Sequence, residues 1–299
     1  MRILNLGSLN FDKVYDVPHF VGAGETILAS NYSEFLGGKG LNQSLALGRA
    51  GADITHAGAV GPDGQPLIDA LSENNVHTAL IQKVDTVSGN ALIQCVNGQN
   101  CIIVYPGANH CITEEYIDRV VPEFSAGDIL LLQNEISCGD YAITRAKEQG
   151  MYVAFNASPI TPSLFEFPLD LVDCFLINEV EGKALVQTDT DDYEVVLALL
   201  QAKYPNAAVV LTLGCEGVYY KDAQQTIHYP AYKVPVVDTT AAGDTFTGFF
   251  LMAIAHDIPK WEALRLATAA GALAVTQKGA ANSIPVLEDV LRFIEENAE

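Results

Sequence analysis

The chain has 299 residues, 49% of them hydrophobic, and a formal charge of −21 at pH 7. That size and apolar content permit a large buried core and exclude a disordered polyelectrolyte. The charge excludes the broad basic surface that nucleic acid demands, yet leaves room for a nucleotide held by local backbone amides and Mg²⁺.

Six cysteines, at 95, 101, 111, 138, 174 and 215, show no C-x-x-C pair and no zinc spacing. They are read as buried free thiols of a reducing compartment. No apolar run reaches the ~18–20 residues of a bilayer span. The opening Met1-Arg2-Ile3-Leu4-Asn5 lacks a signal-peptide core, so a soluble cytoplasmic protein without membrane contact is expected.

In chain order, residues 2–7 read as a short buried strand, and residues 10–36 carry scattered β-formers. Gly37-Gly38-Lys39-Gly40 opens a helix over 41–50 that Gly51 stops. A strand over 53–61 and a helix over 65–73 follow. Two β-like runs, 91–96 and 101–105, flank Asn97-Gly98, a strong hairpin signal. Helices over 114–121, 140–148 and 193–203 then alternate with strands over 129–133, 151–156, 172–177 and 208–213. A β-rich run over 233–237 leads to a turn near Asp244, and helices over 246–255, 261–276 and 287–296 finish the chain. Such alternation predicts an α/β fold with a mainly parallel sheet covered on both faces. The β-only stretches, about 10–36 and 86–105, form either a small accessory sheet over the strand ends or ordinary edge strands.

Two nucleotide signatures are missing. Gly38-Lys39 is followed by Gly40 rather than Ser or Thr, and Gly7 leads into Ser8-Leu9-Asn10 rather than a dinucleotide glycine fingerprint. Other constellations remain, each with two readings. Asp238-Thr239-Thr240-Ala241-Ala242-Gly243-Asp244-Thr245-Phe246 is a small-residue turn into a helix, where unpaired N–H groups suit a phosphate. There Asp244 is either a helix cap or an acid that takes a proton from an attacking hydroxyl. Gly37 to Asn42 is either a flexible loop or a ligand cradle with Lys39 and Asn42 as donors. Asn10 and Asp12, two apart in extended backbone, share one face and either form a turn or hold vicinal hydroxyls. Asn178-Glu179-Val180-Glu181 is close to a capping box, or an organiser of waters around Mg²⁺. In Thr212-Leu213-Gly214-Cys215-Glu216-Gly217, the glycines permit close approach of a base or ribose.

Taken together, these pieces resemble the ribokinase-like (PfkB) carbohydrate kinase family from about residue 5 to 285. Gly37-Gly38-Lys39-Gly40-Leu41-Asn42-Gln43 and the 238–246 stretch carry the resemblance. Gly89-Asn90-Ala91-Leu92-Ile93, Pro106-Gly107-Ala108-Asn109 and Lys278-Gly279-Ala280 support it. It implies a single domain over 1–299 with the ribokinase-like three-layer α/β/α fold and a small β-sheet lid from about 10–36 and 86–105. It also implies ATP-dependent phosphorylation of the primary hydroxyl of D-ribose, with a homodimer formed through the lid sheet.

By the same resemblance Asp244 is the general base, and the amides of Ala241, Ala242 and Gly243 form the anion hole. Asn10, Asp12, Gly38, Lys39, Asn42, Glu135 and Asp244 itself hold the sugar, while Asn178, Thr212, Gly214, Gly217 and Gly243 meet the nucleotide. Glu181 serves Mg²⁺ through water. A monovalent cation, K⁺, sits at Asp238, Thr240, Ala274, Gln277, Gly279 and Ser283, with Gln277 standing where relatives often carry Arg. Leu41, in place of a small residue, and Tyr105-Pro106 suggest a reshaped pocket in which Val104 or Tyr105 faces the sugar. Another pentose, a ketohexose or a nucleoside is therefore the alternative substrate. A sugar-binding regulator without catalysis is the remaining alternative.

Overall fold

In the computed structural model, which describes residues 1–297, the chain begins with the fully buried strand β1 (Ile3–Leu6). β2 (Asn10–Asp16), β3 (Asn31–Gly37), α1 (Lys39–Arg49), β4 (Ile54–Val60), α2 (Gln65–Glu73) and β5 (His77–Lys83) follow. The hairpin of β6 (Gly89–Val96) and β7 (Gln99–Tyr105) turns through Asn97 and Gly98. Both sit at positive φ, 48° and 80°, the twist a two-residue hairpin turn needs. Then come α3 (Glu114–Val120), β8 (Ile129–Gln133), α4 (Gly139–Glu148), β9 (Tyr152–Asn156), β10 (Cys174–Asn178), α5 (Glu179–Val186), α6 (Tyr193–Lys203) and β11 (Ala208–Thr212). The short strands β12 (Val218–Lys221) and β13 (Thr226–Tyr229) precede α7 (Ala242–Ala255), α8 (Lys260–Ala274) and α9 (Leu287–Glu296).

The large sheet has nine strands in the order β13-β12-β11-β10-β9-β8-β1-β4-β5. It is parallel from β11 to β5, and only β12 and β13 run antiparallel. Successive strand residues feed opposite cores, as the pleat dictates. Ile3, Ile129, Leu131 and Val210 pack with Leu41, Leu45, Phe249 and Ala267 on one side. Leu4, Leu6, Leu130 and Val209 pack with Ile117, Ile143 and Leu197 on the other. The expected three-layer α/β/α fold with a mainly parallel sheet is what the chain adopts. Within the described residues, no helix is long and apolar enough to cross a membrane.

A second sheet, ordered β3-β2-β6-β7, joins the two β-only stretches, so they are not edge strands of the main sheet. Its register pairs Asp12 with Ala91 and Ala91 with Val104. Val104 therefore shares the Asp12 side, and Tyr105 points to the opposite side.

Several local expectations are corrected. Residues 77–83 form an edge strand whose His-Thr-Ala-Leu-Ile-Gln-Lys composition gives only a faint β signal. β12 and β13, four residues each, are too short to announce themselves. The β-rich run 233–237 joins no ladder; the amides of Val237 and Asp238 both donate to Val275 O, just beyond α8. The helix expected over 246–255, α7, starts four residues earlier, at Ala242. Of the cysteines only Cys174 is buried, while Cys101 and Cys215 are exposed. Cys101 lies on the exposed strand β7 and Cys215 on the turn after β11.

Candidate active site

The polar residues singled out in the sequence converge at the C-terminal ends of the parallel strands, where open α/β sheets bind ligands. Gly38 is the N-cap of α1 at φ 92°, a conformation that excludes side chains. Gly40 lies so close to Ser8 that a Cβ would fall 2.3 Å from its backbone N. These two glycines seat α1 against the end of β1 and bring Lys39 and Asn42 to the strand ends.

Asp244 occupies the third position of α7 and is 8% exposed. It is not the helix cap. That position belongs to Ala241, held at φ 60° in the left-handed region, which costs a non-glycine residue about 1 kcal/mol. Asn42 Nδ2 donates to Asp244 Oδ2 at 3.1 Å, and Gln43 Nε2 donates to Oδ1 at 2.8 Å. The Oδ1 of Asn42 is buried with no partner among the described residues, an acceptor that a hydroxyl would satisfy.

Glu135, in the turn between β8 and α4, accepts from Ser8 Oγ and, at 3.1 Å, from the backbone N–H of Lys39. Burial pushes its carboxyl above the ordinary range, against the pull of Ser8 and Lys39. Asp12 is raised to about 6, first by burial and then by the charges of Glu135 and Asp244. Burial also opposes the charge on Lys39, but Asp244, Glu135 and Glu181 outweigh it and hold the ammonium above its usual value. One lysine thus balances three carboxylates. Asn10 is aimed by Asn109, whose Nδ2 donates to Asn10 Oδ1 at 2.7 Å while its Oδ1 accepts from Leu9 N at 2.9 Å.

Beside this cluster lies a cavity of about 200 Å³ lined by Lys39, Asn178, Glu181, Thr212, Gly243 and Asp244, among others. Asn178 and Glu181 make a complete capping box: Asn178 Oδ1 accepts from Glu181 N at 2.9 Å, and Glu181 Oε2 accepts from Asn178 N at 3.0 Å. That engages one oxygen of Glu181, and its carboxylate still lines the cavity. At Gly243 a Cβ would meet open space, so the first turn of α7 is accessible to an incoming group. Of the three amides expected there, that of Ala242 donates to Thr239 O at 3.3 Å, and those of Ala241 and Gly243 find no acceptor among the described residues. Gly214 and Gly217, on the turn after β11, do not line the cavity.

Asp238 ties the cation candidates together. Its Oδ1 accepts from Thr240 N at 2.9 Å and Thr240 Oγ1 at 2.6 Å, and its Oδ2 accepts from Gly279 N at 3.0 Å. Burial opposes its ionisation, but these bonds hold its pKa below the usual value. Ala274 ends α8 and its carbonyl accepts from Gln277 N, while the Ser283 hydroxyl donates to Ala280 O. These six residues thus lie on the loop before α7 and on α8's end and the loop after it, which Gly279 and the Val275 carbonyl stitch together. The fold therefore joins the candidates for sugar, phosphate and cation along the start of α7. Leu41, expected to reshape the pocket, is fully buried in the hydrophobic core instead.

Sequence reasoning missed Ser8, Gln133 and Asn156 and quoted Gln43 and Asn109 without a role. A lone Gln or Asn has no pattern; only the fold shows that these side chains meet.

A family model described as pfkB family carbohydrate kinase matches residues 2–287. The ribokinase of Haemophilus influenzae is 33% identical over 298 residues, covering 97% of each chain. The Arabidopsis thaliana ribokinase complexed with ribose and ATP superposes with a TM-score of 0.87 at 28% identity, covering 98% of each chain. The Cryptococcus neoformans ribokinase in complex with ADP gives 0.85 at 30% identity, covering 97% of this chain and 99% of that one. The chain belongs to the pfkB family of carbohydrate kinases and is a phosphotransferase acting on a sugar hydroxyl.

Proposed function

We propose that the enzyme transfers the γ-phosphoryl group of ATP to the primary hydroxyl of D-ribose, yielding ribose 5-phosphate and ADP. The observation that carries this reading is the placement of Asp244: a buried carboxylate on the first turn of α7, shared between the polar cluster at β1, β2 and α1 and the cavity at β10 and β11. Similarity to ribokinases, one of them complexed with ribose and ATP, points to the substrates.

Asn10, Asp12, Gly38, Lys39, Asn42 and Glu135 bind the sugar hydroxyls. Asp244 accepts the proton of the attacking hydroxyl as its oxygen bonds to the γ-phosphorus and the bond to the β-phosphate oxygen breaks. The amides of Ala241, Ala242 and Gly243 receive the charge on the transferring group, Ala242 exchanging its bond to Thr239 for a phosphate oxygen. Asn178, Thr212, Gly214 and Gly217 orient the nucleotide. The free face of the Glu181 carboxylate suits a water-sheathed Mg²⁺, which when bound neutralises phosphate charge. The carboxylate and carbonyl oxygens at Asp238, Thr240, Ala274, Gln277, Gly279 and Ser283 suit K⁺, whose effect is to brace the loop that carries the anion hole.

The small sheet acts as a lid inserted, through segments 10–36 and 86–105, in a single domain of residues 1–299. A second copy covers β7, where Ile102, Ile103 and Val104 are 49%, 61% and 58% exposed. ATP as the donor and six cysteines left as free thiols suit a reaction in the cytoplasm. Another pentose, a ketohexose or a nucleoside is the second reading. What favours it is the register, which sets the apolar Val104 and Ala91 on the Asp12 side. A non-catalytic sugar-binding regulator ranks last. A panel of sugars and nucleosides with Mg-ATP, read by ADP release, separates these readings. Ribose is expected to give the highest kcat/KM, and equal turnover of fructose or adenosine would overturn the ribose assignment.

A further inference from the structure

Against Asp244 Oδ1 lies a chain of buried neutral amides. Gln43 Nε2 donates to Asp244 Oδ1 at 2.8 Å and to Asn156 Oδ1 at 3.0 Å. Gln133 Nε2 donates to Gln43 Oε1 at 2.7 Å and to Asn5 Oδ1 at 3.0 Å. Asn5 Nδ2 donates to Gly40 O and to Ser44 Oγ, both at 2.8 Å, and Asn156 Nδ2 donates to Leu176 O at 2.7 Å. Gln43, Gln133 and Asn5 are each 0 to 1% exposed, and Asn156 is 8% exposed.

The polarity of this chain has one solution. Backbone carbonyls of Gly40 and Leu176 accept at its two ends, and a carboxylate accepts at Asp244. Flipping Gln43 or Gln133 would bring oxygen against oxygen. Both hydrogens of the Gln43 amide are therefore committed, one of them to Asp244 Oδ1. The other carboxylate oxygen, Oδ2, accepts from Asn42, itself a sugar-binding candidate.

We propose that Gln43 is a positioning residue for catalysis, locked by Gln133 and Asn156, that holds Asp244 Oδ1 from behind so that Oδ2 alone faces the sugar hydroxyl. The proposal rests on Asp244 being the base. A carboxylate free to rotate would present its oxygens in varied geometries, and loss of reactive geometry costs up to about 100-fold in rate.

The test compares Gln43→Glu, Gln133→Met and Asp244→Asn in the full chain with Mg-ATP and the best sugar of the panel. Gln43→Glu keeps the shape but turns donors into acceptors facing Asp244. It should lower kcat about 100-fold with both KM values within about threefold. It should also move the acid limb of the kcat–pH profile upward, because its charge adds to those of Asp12 on β2, Glu135 after β8 and Glu181 of α5, with Lys39 of α1 the opposing cation. Gln133→Met frees the Gln43 amide without adding charge and should lower kcat about tenfold without moving that limb; it carries the test if Gln43→Glu does not fold. Turnover within about twofold of wild type in both folded variants, or a loss that appears in KM and melting temperature alone, overturns the inference. Retained turnover in Asp244→Asn would remove the base assignment itself. An inactive Asp244→Asn beside an unaffected Gln43→Glu removes only the role of Gln43.

Discussion

Asn42 and Asp244 are 202 residues apart in sequence and meet in a buried 3.1 Å hydrogen bond. The bond ties the first turn of α1 to the first turn of α7, so the polar cluster around Lys39 and the cavity beside Asp244 share one seam. The two helices also pack along their lengths: a Cβ on Gly248 of α7 would fall 2.4 Å from Ala46 of α1.

If Asp244 takes the hydroxyl proton, Asp244→Asn should reduce kcat by roughly 10²–10⁴-fold, the range of general-base contributions. Sugar affinity, measured by calorimetry, should change little, because Asn keeps the shape and one acceptor. Near-normal turnover would refute the role.

Asp12 carries a measurable stability signature. Its folded pKa, about 6, lies above the ordinary 3.8. A carboxyl raised on folding costs nothing below pH 3.8, and its penalty grows as pH rises toward 6 and is complete above it. Asp12→Asn should therefore match wild type near pH 3.5 and be more stable above pH 6. The rise from 3.8 to about 6, discounted for the partial exposure of Asp12, corresponds to roughly 2 kcal/mol. Urea melts across that pH range check the sign, and a variant less stable at pH 7 would contradict it. Sugar binding should weaken in the same variant.

Activity should rise when K⁺ replaces Na⁺ at constant ionic strength, and Asp238→Ala should abolish the difference. That variant loses the acceptor for Thr240 and Gly279, so its loops part even if the cation is retained elsewhere. Initial rates at fixed salt concentration decide the matter; indifference of the wild type to the cation would remove the K⁺ site.

Arg49 closes α1 against the C-terminal loop. Its Nη1 donates to Ala281 O at 2.8 Å and Ile284 O at 2.7 Å, and its Nε donates to Asn74 Oδ1 at 2.7 Å. Arg49→Met should cost about 2–3 kcal/mol, because two carbonyls lose their charged donor. Denaturant unfolding measures this. Because these carbonyls flank Ser283, K⁺ activation should weaken together with stability.

Much of the fold was legible locally. Periodicity located α2, α6, α9 and β8 to the residue, since each pairs a clear apolar pattern with clean breakers. Asn97-Gly98 announced its hairpin, and Asn178 with Glu181 announced its capping box, because turn and cap chemistry is written within four residues. β5, β12 and β13 were not legible. β5 and β13 are edge strands that bury little, so apolar alternation is weak there, and the four-residue β12 between β11 and β13 is too short for its alternation to stand out. The start of α7 misled for a related reason: Ala241 adopts a left-handed conformation that nothing in alanine itself favours.

By itself the sequence determined the class of the protein and its main polar candidates. Small residues before Asp244, glycines around Lys39, and the resemblance they support are properties of contiguous stretches. What only the tertiary structure decided is how those candidates are held. It set Val104 rather than Tyr105 on the Asp12 side, withdrew Leu41 into the core, and recruited Gln43, Gln133, Asn156 and Asn5 behind Asp244. The physical reason is that pleat register and buried hydrogen-bond polarity are relations between distant segments, and they exist only once the sheet has brought those segments together.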